Sequence, residues 1–132
     1  MESQTVSYAA AVSQYQSAST FGGVIEATPH KLIELLYGGL IDRLAQARGA
    51  IGNGETQTKL RAVSSALSIV DHLRLSLDKK AGGAIASNLE MLYDYMARRL
   101  IEANASNNAA MIDEVLQLTR ELKSGWDAVA TS

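Results

Sequence analysis

Two histidines, His30 and His72, are the side chains of this chain that could hold a metal ion or accept a phosphoryl group. In helical bundles that hold two metal ions, a glutamate stands three positions before each histidine ligand. Those positions are occupied here by Ala27 and Ile69, so both motifs fail. The sequence therefore predicts no metal centre and no cofactor.

His72 could also act as the phosphoryl acceptor of a small helical bundle. On a helix, Ser68 and Ser76 would lie on the same face, at i−4 and i+4. A phosphoryl group at this position would need cationic donors beside it, whereas Arg74 would lie on another face. Phosphotransfer through His72 is the alternative function, and a solvated surface histidine is the simpler interpretation.

No other set of polar residues is typical of a catalytic site. Asp71 precedes His72 directly, and adjacent helix positions do not face each other, which disfavours a Ser-His-Asp arrangement. Glu90 and Asp94 form an i,i+4 carboxylate pair with no sign of a buried pocket that would shift a pKa. The pair Gly82-Gly83 lacks the Gly-Lys-Ser/Thr of a phosphate-binding loop. We predict that the chain is not an enzyme.

The composition is that of an aliphatic, helix-rich domain. The chain has 132 residues, of which 47% are apolar and 20% charged, and this length favours a single domain. Its 12 basic and 14 acidic residues are interspersed, so no basic tract could follow a phosphate backbone. Nucleic acid is therefore not an expected partner.

The termini and the absence of cysteine indicate the compartment. The first residues, Met-Glu-Ser-Gln, lack the features of a secretory signal, and no run approaches the roughly 18 apolar residues of a membrane span. A chain without cysteine is compatible with a reducing compartment. We expect a cytoplasmic protein that does not insert into a membrane.

Apolar residues recur every three or four positions over four stretches, which is the helical period. Thr28 is a plausible N-cap for Pro29 in the first helical position, and Gly52-Asn53-Gly54 ends the first stretch. The spacing predicts helices over about 29–51, 56–77, 85–104 and 112–129, with residues 78–83 as a short connection. Short links favour antiparallel neighbours. We predict an all-α fold, an antiparallel up-down-up-down four-helix bundle over residues 28–132.

Residues 1–27 are richer in Ser, Gln, Thr and Gly than the rest of the chain. Tyr8, Val12 and Tyr15 could line one face of two helical turns, which is too short a helix to be stable alone. We expect a short helical segment that is either mobile or docked on the bundle. When docked, it could cover a groove in which a partner binds.

The second and third helices carry more apolar surface than one core requires. Apolar positions of the second helix span about half of its circumference. In the third helix, a seam of apolar residues points inward and Tyr93 lies close to it, whereas Met91 and Tyr95 point away. The seam residues are Ile85, Leu89, Leu92, Met96 and Leu100. Surplus surface rich in methionine and tyrosine indicates a partner, and an amphipathic helix fits it.

Several short motifs occur in an order that resembles the bacterial flagellar secretion chaperones. The resemblance runs from about residue 8 to residue 129. It rests on Thr28-Pro29, Ser76-Leu77-Asp78, Gly82-Gly83, Asn88-Leu89, Leu92-Tyr93-Asp94-Tyr95-Met96 and Ala103-Asn104. Gly38 and Ala84 depart from the family pattern, which often has Asp and Glu there.

The resemblance implies a four-helix bundle in the bacterial cytoplasm that binds the disordered C-terminal region of flagellin. Binding would prevent premature polymerisation, and the complex would meet a component of the flagellar type III export gate. No nucleotide or metal is implied.

The expected mechanism is that the partner folds as it binds, as an amphipathic helix in a groove, and the sequence leaves open which groove. We expect the partner to contact aromatic and large aliphatic side chains of the N-terminal segment and of the second and third helices. These are Tyr8, Val12, Tyr15, Ile69, Leu73, Leu77, Leu89, Met91, Leu92, Tyr93, Tyr95 and Met96.

Overall fold

The structure, a computed structural model, describes residues 28–130 and consists there of four helices without a strand. The expected N-terminal segment with Tyr8, Val12 and Tyr15 lies outside the described residues. The helices are α1 (Pro29–Asn53), α2 (Thr56–Leu75), α3 (Lys79–Ser106) and α4 (Ala109–Ala130).

The four helices form a closed ring of neighbours, in which α1 packs on α2 and α4, and α3 packs on the same two helices. The end of α1 contacts the start of α4, and the start of α1 contacts the end of α4, so the two helices are antiparallel. Arg48 Nε donates to Asp113 Oδ1 at 2.7 Å, and Trp126 Nε1 donates to the backbone oxygen of His30 at 3.0 Å. The predicted antiparallel up-down-up-down bundle is confirmed.

Capping residues fix where the helices begin and end. Thr28 Oγ1 accepts a hydrogen bond from the Lys31 amide at 3.1 Å, as the Thr-Pro pair predicts. Gly54 ends α1 with a positive φ of 69°, and Asn108 Oδ1 accepts from the Met111 amide at 3.2 Å at the start of α4.

The connection between α2 and α3 differs from the prediction. Asp78 caps the next helical turn by accepting a bond from the Ala81 amide at 3.1 Å, so only residues 76–78 are outside a helix. The break falls at Gly83, where φ is 53° and ψ is −126°, a conformation that other residues avoid. Residues 79–82 therefore form a separate helical turn before the main part of α3.

The core consists mainly of aliphatic side chains from all four helices. Ile85, which the spacing placed on the inward seam, is instead 71% exposed. It follows the break at Gly83, near the end of the bundle. Val129 near the end of α4 is 61% exposed. The largest fully buried apolar side chains are Leu36, Leu40, Leu44, Val63, Leu73, Met96, Leu100, Ile112 and Val115.

Two tyrosine hydroxyls meet inside this core. The Tyr37 and Tyr93 oxygens lie 2.6 Å apart and hydrogen bond, which joins α1 to α3 across the bundle. Burial raises the pKa of both tyrosines, and the hydrogen bond to Tyr37 raises that of Tyr93 further. The neutral form of each phenol is therefore strongly favoured in the folded protein.

Candidate functional site

The ends of the helices meet in two groups, and the two ends of the bundle differ in chemistry. The start of α1, the end of α2, the start of α3 and the end of α4 share one end, because neighbours are antiparallel. We call it the apolar end. Below a buried layer that includes Leu36 and Leu73, this end carries large side chains that are only partly buried or are exposed: Leu75, Leu77, Ile85, Leu89, Met91, Leu92, Leu122, Trp126 and Val129.

Exposed apolar side chains of the apolar end flank the connection between α2 and α3 and continue along α3. Leu75 is 72% exposed, Ile85 is 71% exposed and Met91 is 65% exposed. Leu77 and Leu89 rest on the core with part of their surface in solvent. Exposed apolar surface at one end of a helical bundle is a candidate interaction site.

The opposite end of the bundle is closed by polar contacts. Lys59 is only 5% exposed, and its ammonium donates to the Asn104 backbone oxygen at 3.0 Å and to Asn107 Oδ1 at 2.6 Å. These acceptors lie at the C-terminal end of α3, where unpaired carbonyl groups favour a cation. The spacing of apolar residues does not predict this contact, because a lysine on a helix is expected to be exposed. Lys59 is buried since its ammonium has acceptors on α3.

The predicted binding residues divide into buried and accessible groups. Leu73, Tyr93 and Met96 are 1%, 2% and 0% exposed, and Ile69 is 9% exposed, so all four belong to the core. In this conformation their side chains support the surface from below. The other predicted residues within the described part of the chain are half-buried or exposed and are therefore accessible to a partner. They are Leu77, Leu89, Met91, Leu92 and Tyr95.

Tyr95 takes part in a polar bridge between α3 and α4. Its hydroxyl donates to Glu114 Oε2, and Arg99 Nε donates to Glu114 Oε1 at 2.8 Å. The Arg99 guanidinium also lies 5.9 Å from the centre of the Tyr95 ring. The Tyr95 hydrogen bond, followed by the contact with Arg99, lowers the pKa of Glu114, while the same bond raises that of Tyr95. The bridge depends on the register of two helices, which spacing within one helix does not predict.

His72 lies on the half-buried side of α2, and its surroundings do not resemble a phosphoryl site. Burial lowers the pKa of His72, and the charge of Asp71 opposes that shift. Arg74, the cation nearest in sequence, pairs with Asp71 at 2.6 Å. Ser76 donates its hydroxyl to the His72 backbone oxygen at 2.8 Å, so this serine is engaged with the main chain.

His30 contributes to packing between α1 and α4. Its ring stacks on Trp126 with centroids 4.5 Å apart and an interplanar angle of 13°. Within residues 28–130, no group of three or more His, Cys, Asp or Glu side chains could hold a metal ion. None of the described helices is long and apolar enough to cross a membrane.

Comparison with known proteins adds an independent observation. Residues 9–132 match the family model described as flagellar protein FliS. The chain is 46% identical over 120 residues to flagellar secretion chaperone FliSB of Pseudomonas aeruginosa, covering 91% of this chain and 95% of the relative. It is 39% identical over 123 residues to FliS of Salmonella typhimurium, with 92% and 91% covered. For FliS of Vibrio cholerae, the identity is 37% over 115 residues, with 87% and 85% covered.

Proposed function

Because the chain belongs to the FliS family of flagellar secretion chaperones, we propose that it binds the disordered C-terminal region of flagellin in the cytoplasm. Binding withholds that region from polymerisation, and the complex then meets a component of the type III export gate. The family is one of chaperones, which agrees with the prediction that the chain is not an enzyme.

The observation that carries the proposal is the exposure of several large apolar side chains, Leu75, Ile85 and Met91, at the apolar end. A client segment that is disordered when free gains most by folding into an amphipathic helix on such a surface. Ordering the segment costs conformational entropy, so the contact must be apolar and extended. Met91 supplies a flexible, polarizable contact on the solvent-facing side of α3, and Leu77 and Leu89, which are half-buried against the core, supply aliphatic surface near the connection.

The core residues of the prediction have an indirect part in this proposal. Tyr93 and Met96 lie under the surface of α3, and Leu73 lies under that of α2. Their packing fixes the backbone of α2 and α3 beneath the exposed side chains before the client arrives, which reduces the entropy lost on binding.

We further propose that the N-terminal segment covers part of the apolar end when no client is bound. The chain enters α1 at Thr28, which lies at this same end. Tyr8, Val12 and Tyr15 would supply the covering contacts. Deleting residues 1–20 should increase the binding of an apolar dye and change flagellin affinity, and unchanged values for both would rule this out.

The experiment is calorimetric titration with the C-terminal segment of flagellin from the same bacterium. A saturable 1:1 isotherm with a negative heat-capacity change is the expected result for coupled folding and binding. Absence of heat and of co-elution, with the bundle folded, would refute the flagellin assignment.

A matched pair of variants tests where the client binds. Met91 and Ile101 are exposed apolar residues of α3, at 65% and 58%, about 15 Å apart along the helix. Met91→Ala should weaken flagellin binding by about tenfold, as loss of a central anchor does, and Ile101→Ala should not. Both should unfold within about 0.5 kcal/mol of the wild type, since neither side chain is in the core. A larger effect of Ile101→Ala would instead place the client on the second half of α3, away from the apolar end.

A further inference from the structure

A cleft of about 580 Å³ lies between α1 and α2, away from the apolar end. It extends from Arg43 and Ser65, near the middle of the two helices, to Asn53 and Glu55 at the link between them. Four of its eleven lining residues are small, Ala45, Gly49, Ala50 and Ala62, and the other seven are polar or charged. A peptide backbone could therefore approach the helices closely.

Hydrogen-bond donors dominate the rim of the cleft. Arg43 Nε donates to Ser65 Oγ at 3.0 Å, which fixes the plane of the guanidinium and leaves its four terminal N–H groups for other acceptors. Arg61 is exposed, and within residues 28–130 it forms no ion pair. Glu55 supplies the carboxylate among the lining residues.

We propose that this cleft binds an acidic peptide segment, whose carboxylates pair with Arg43 and Arg61. The planar fork of a guanidinium matches a carboxylate, and two such forks on facing helices would read two acidic side chains. A nucleic acid is a poorer fit, because Glu55 repels a uniform polyanion and the chain carries a net charge of −2.

The cleft and the apolar end lie in different halves of the bundle, so both can be occupied together. The proposal does not rest on flagellin binding. It defines a second contact surface, suited to a polar and acidic segment, whereas the apolar end suits an amphipathic one.

The test is an NMR titration of the full chain, labelled with ¹⁵N, with an end-blocked peptide of four Glu-Ala repeats at low ionic strength. Saturable shifts should map to the cleft, between residues 43 and 65. Arg61→Gln should weaken binding at least about threefold. Arg120→Gln is the matched control, since Arg120 is an exposed arginine of α4 and the charge change is the same. It should leave the affinity unchanged.

Three results would overturn the proposal. The first is the absence of saturable shifts at the cleft, and the second is an equal loss of affinity in Arg120→Gln. The third is equal binding of a peptide of four Gln-Ala repeats, which carries no carboxylates. Arg61 is exposed, so its variant keeps the fold and the test does not depend on replacing the half-buried Arg43.

Discussion

Replacing either of the two buried tyrosines with phenylalanine should destabilise the bundle, and replacing both should cost much less than the two single changes added together. Tyr37 and Tyr93 are 3% and 2% exposed, and their oxygens are 2.6 Å apart. A single replacement removes one hydroxyl and leaves the other buried without this partner. The double replacement removes both hydroxyls, so no unpaired polar group is left between the two rings.

The magnitude follows from the cost of an unpaired buried hydroxyl. Tyr37→Phe or Tyr93→Phe alone should lower the free energy of unfolding by about 1–3 kcal/mol. The double variant should be within about 1 kcal/mol of the wild type, which gives a coupling of at least about 1 kcal/mol between the positions. For a domain of this size, a loss of about 2 kcal/mol lowers the melting temperature by roughly 4–10 °C.

The assay is urea unfolding of the four proteins, followed by circular dichroism at neutral and at alkaline pH. Burial raises the pKa of both tyrosines in the folded state above the ordinary value of 10.0, whereas the unfolded chain ionises near it. The contribution of the two neutral phenols to the free energy of unfolding is therefore fully present below pH 10. It decreases as the pH rises above 10. The double variant should lose less stability than the wild type over that alkaline range.

Additive free energies would refute this reasoning, because they would mean that the two hydroxyls do not depend on each other in the folded state. An alkaline loss of stability equal in the wild type and the double variant would refute the role of burial. The slope of free energy against urea should be unchanged in all variants, since the exposed area on unfolding is the same.

Three further changes test other parts of the structure. Lys59→Met should lower the free energy of unfolding by about 1–3 kcal/mol through loss of two hydrogen bonds, while the exposed Lys31→Met stays within about 0.5 kcal/mol; equal effects would contradict the buried contact. In urea unfolding, Gly83→Ala should destabilise the fold by about 1–3 kcal/mol because φ is 53°, whereas Gly125→Ala in open space on α4 should stabilise it by about 0.5–1 kcal/mol; a stabilising Gly83→Ala would refute the backbone assignment. The lowered pKa of Glu114 gives stability that is present above its ordinary value of 4.5 and is lost as the pH falls through the folded value, so Glu114→Gln should flatten acid unfolding curves, and unchanged curves would count against the bridge.

The helices and their order could be predicted because each depends on local signals. Thr28 and Pro29 mark the start of α1, and the predicted break after residue 51 is confirmed at Gly54. The third helix was less well predicted, since Asp78 caps a turn that the spacing assigned to a loop. The spacing of apolar residues locates the main part of each helix, and the capping residues decide where each helix begins and ends.

The contacts that tie one helix to another could not be predicted from the sequence. Lysine is usually a surface residue. Lys59 is buried, and its ammonium is hydrogen-bonded to Asn107, which is 48 positions away in the sequence. Tyr95 was expected on an outward shoulder, and the position of Glu114 on α4 decides that it is bridged. The spacing of residues within one helix does not tell how far the neighbouring helix is shifted along it. Side-chain pairs between two helices can therefore be identified only in the folded bundle.

The polar closure at Lys59 gives the molecule an uneven resistance to local opening. The buried Lys59 ammonium ties α2 to the end of α3 through Asn104 and Asn107, whereas residues 79–82 form a single helical turn before the break at Gly83. Hydrogen exchange should therefore be faster in this turn than in the part of α3 that leads to the Lys59 contact. Partial unfolding would then begin at the apolar end while the other half stays intact, so the chain could rearrange there without losing its fold.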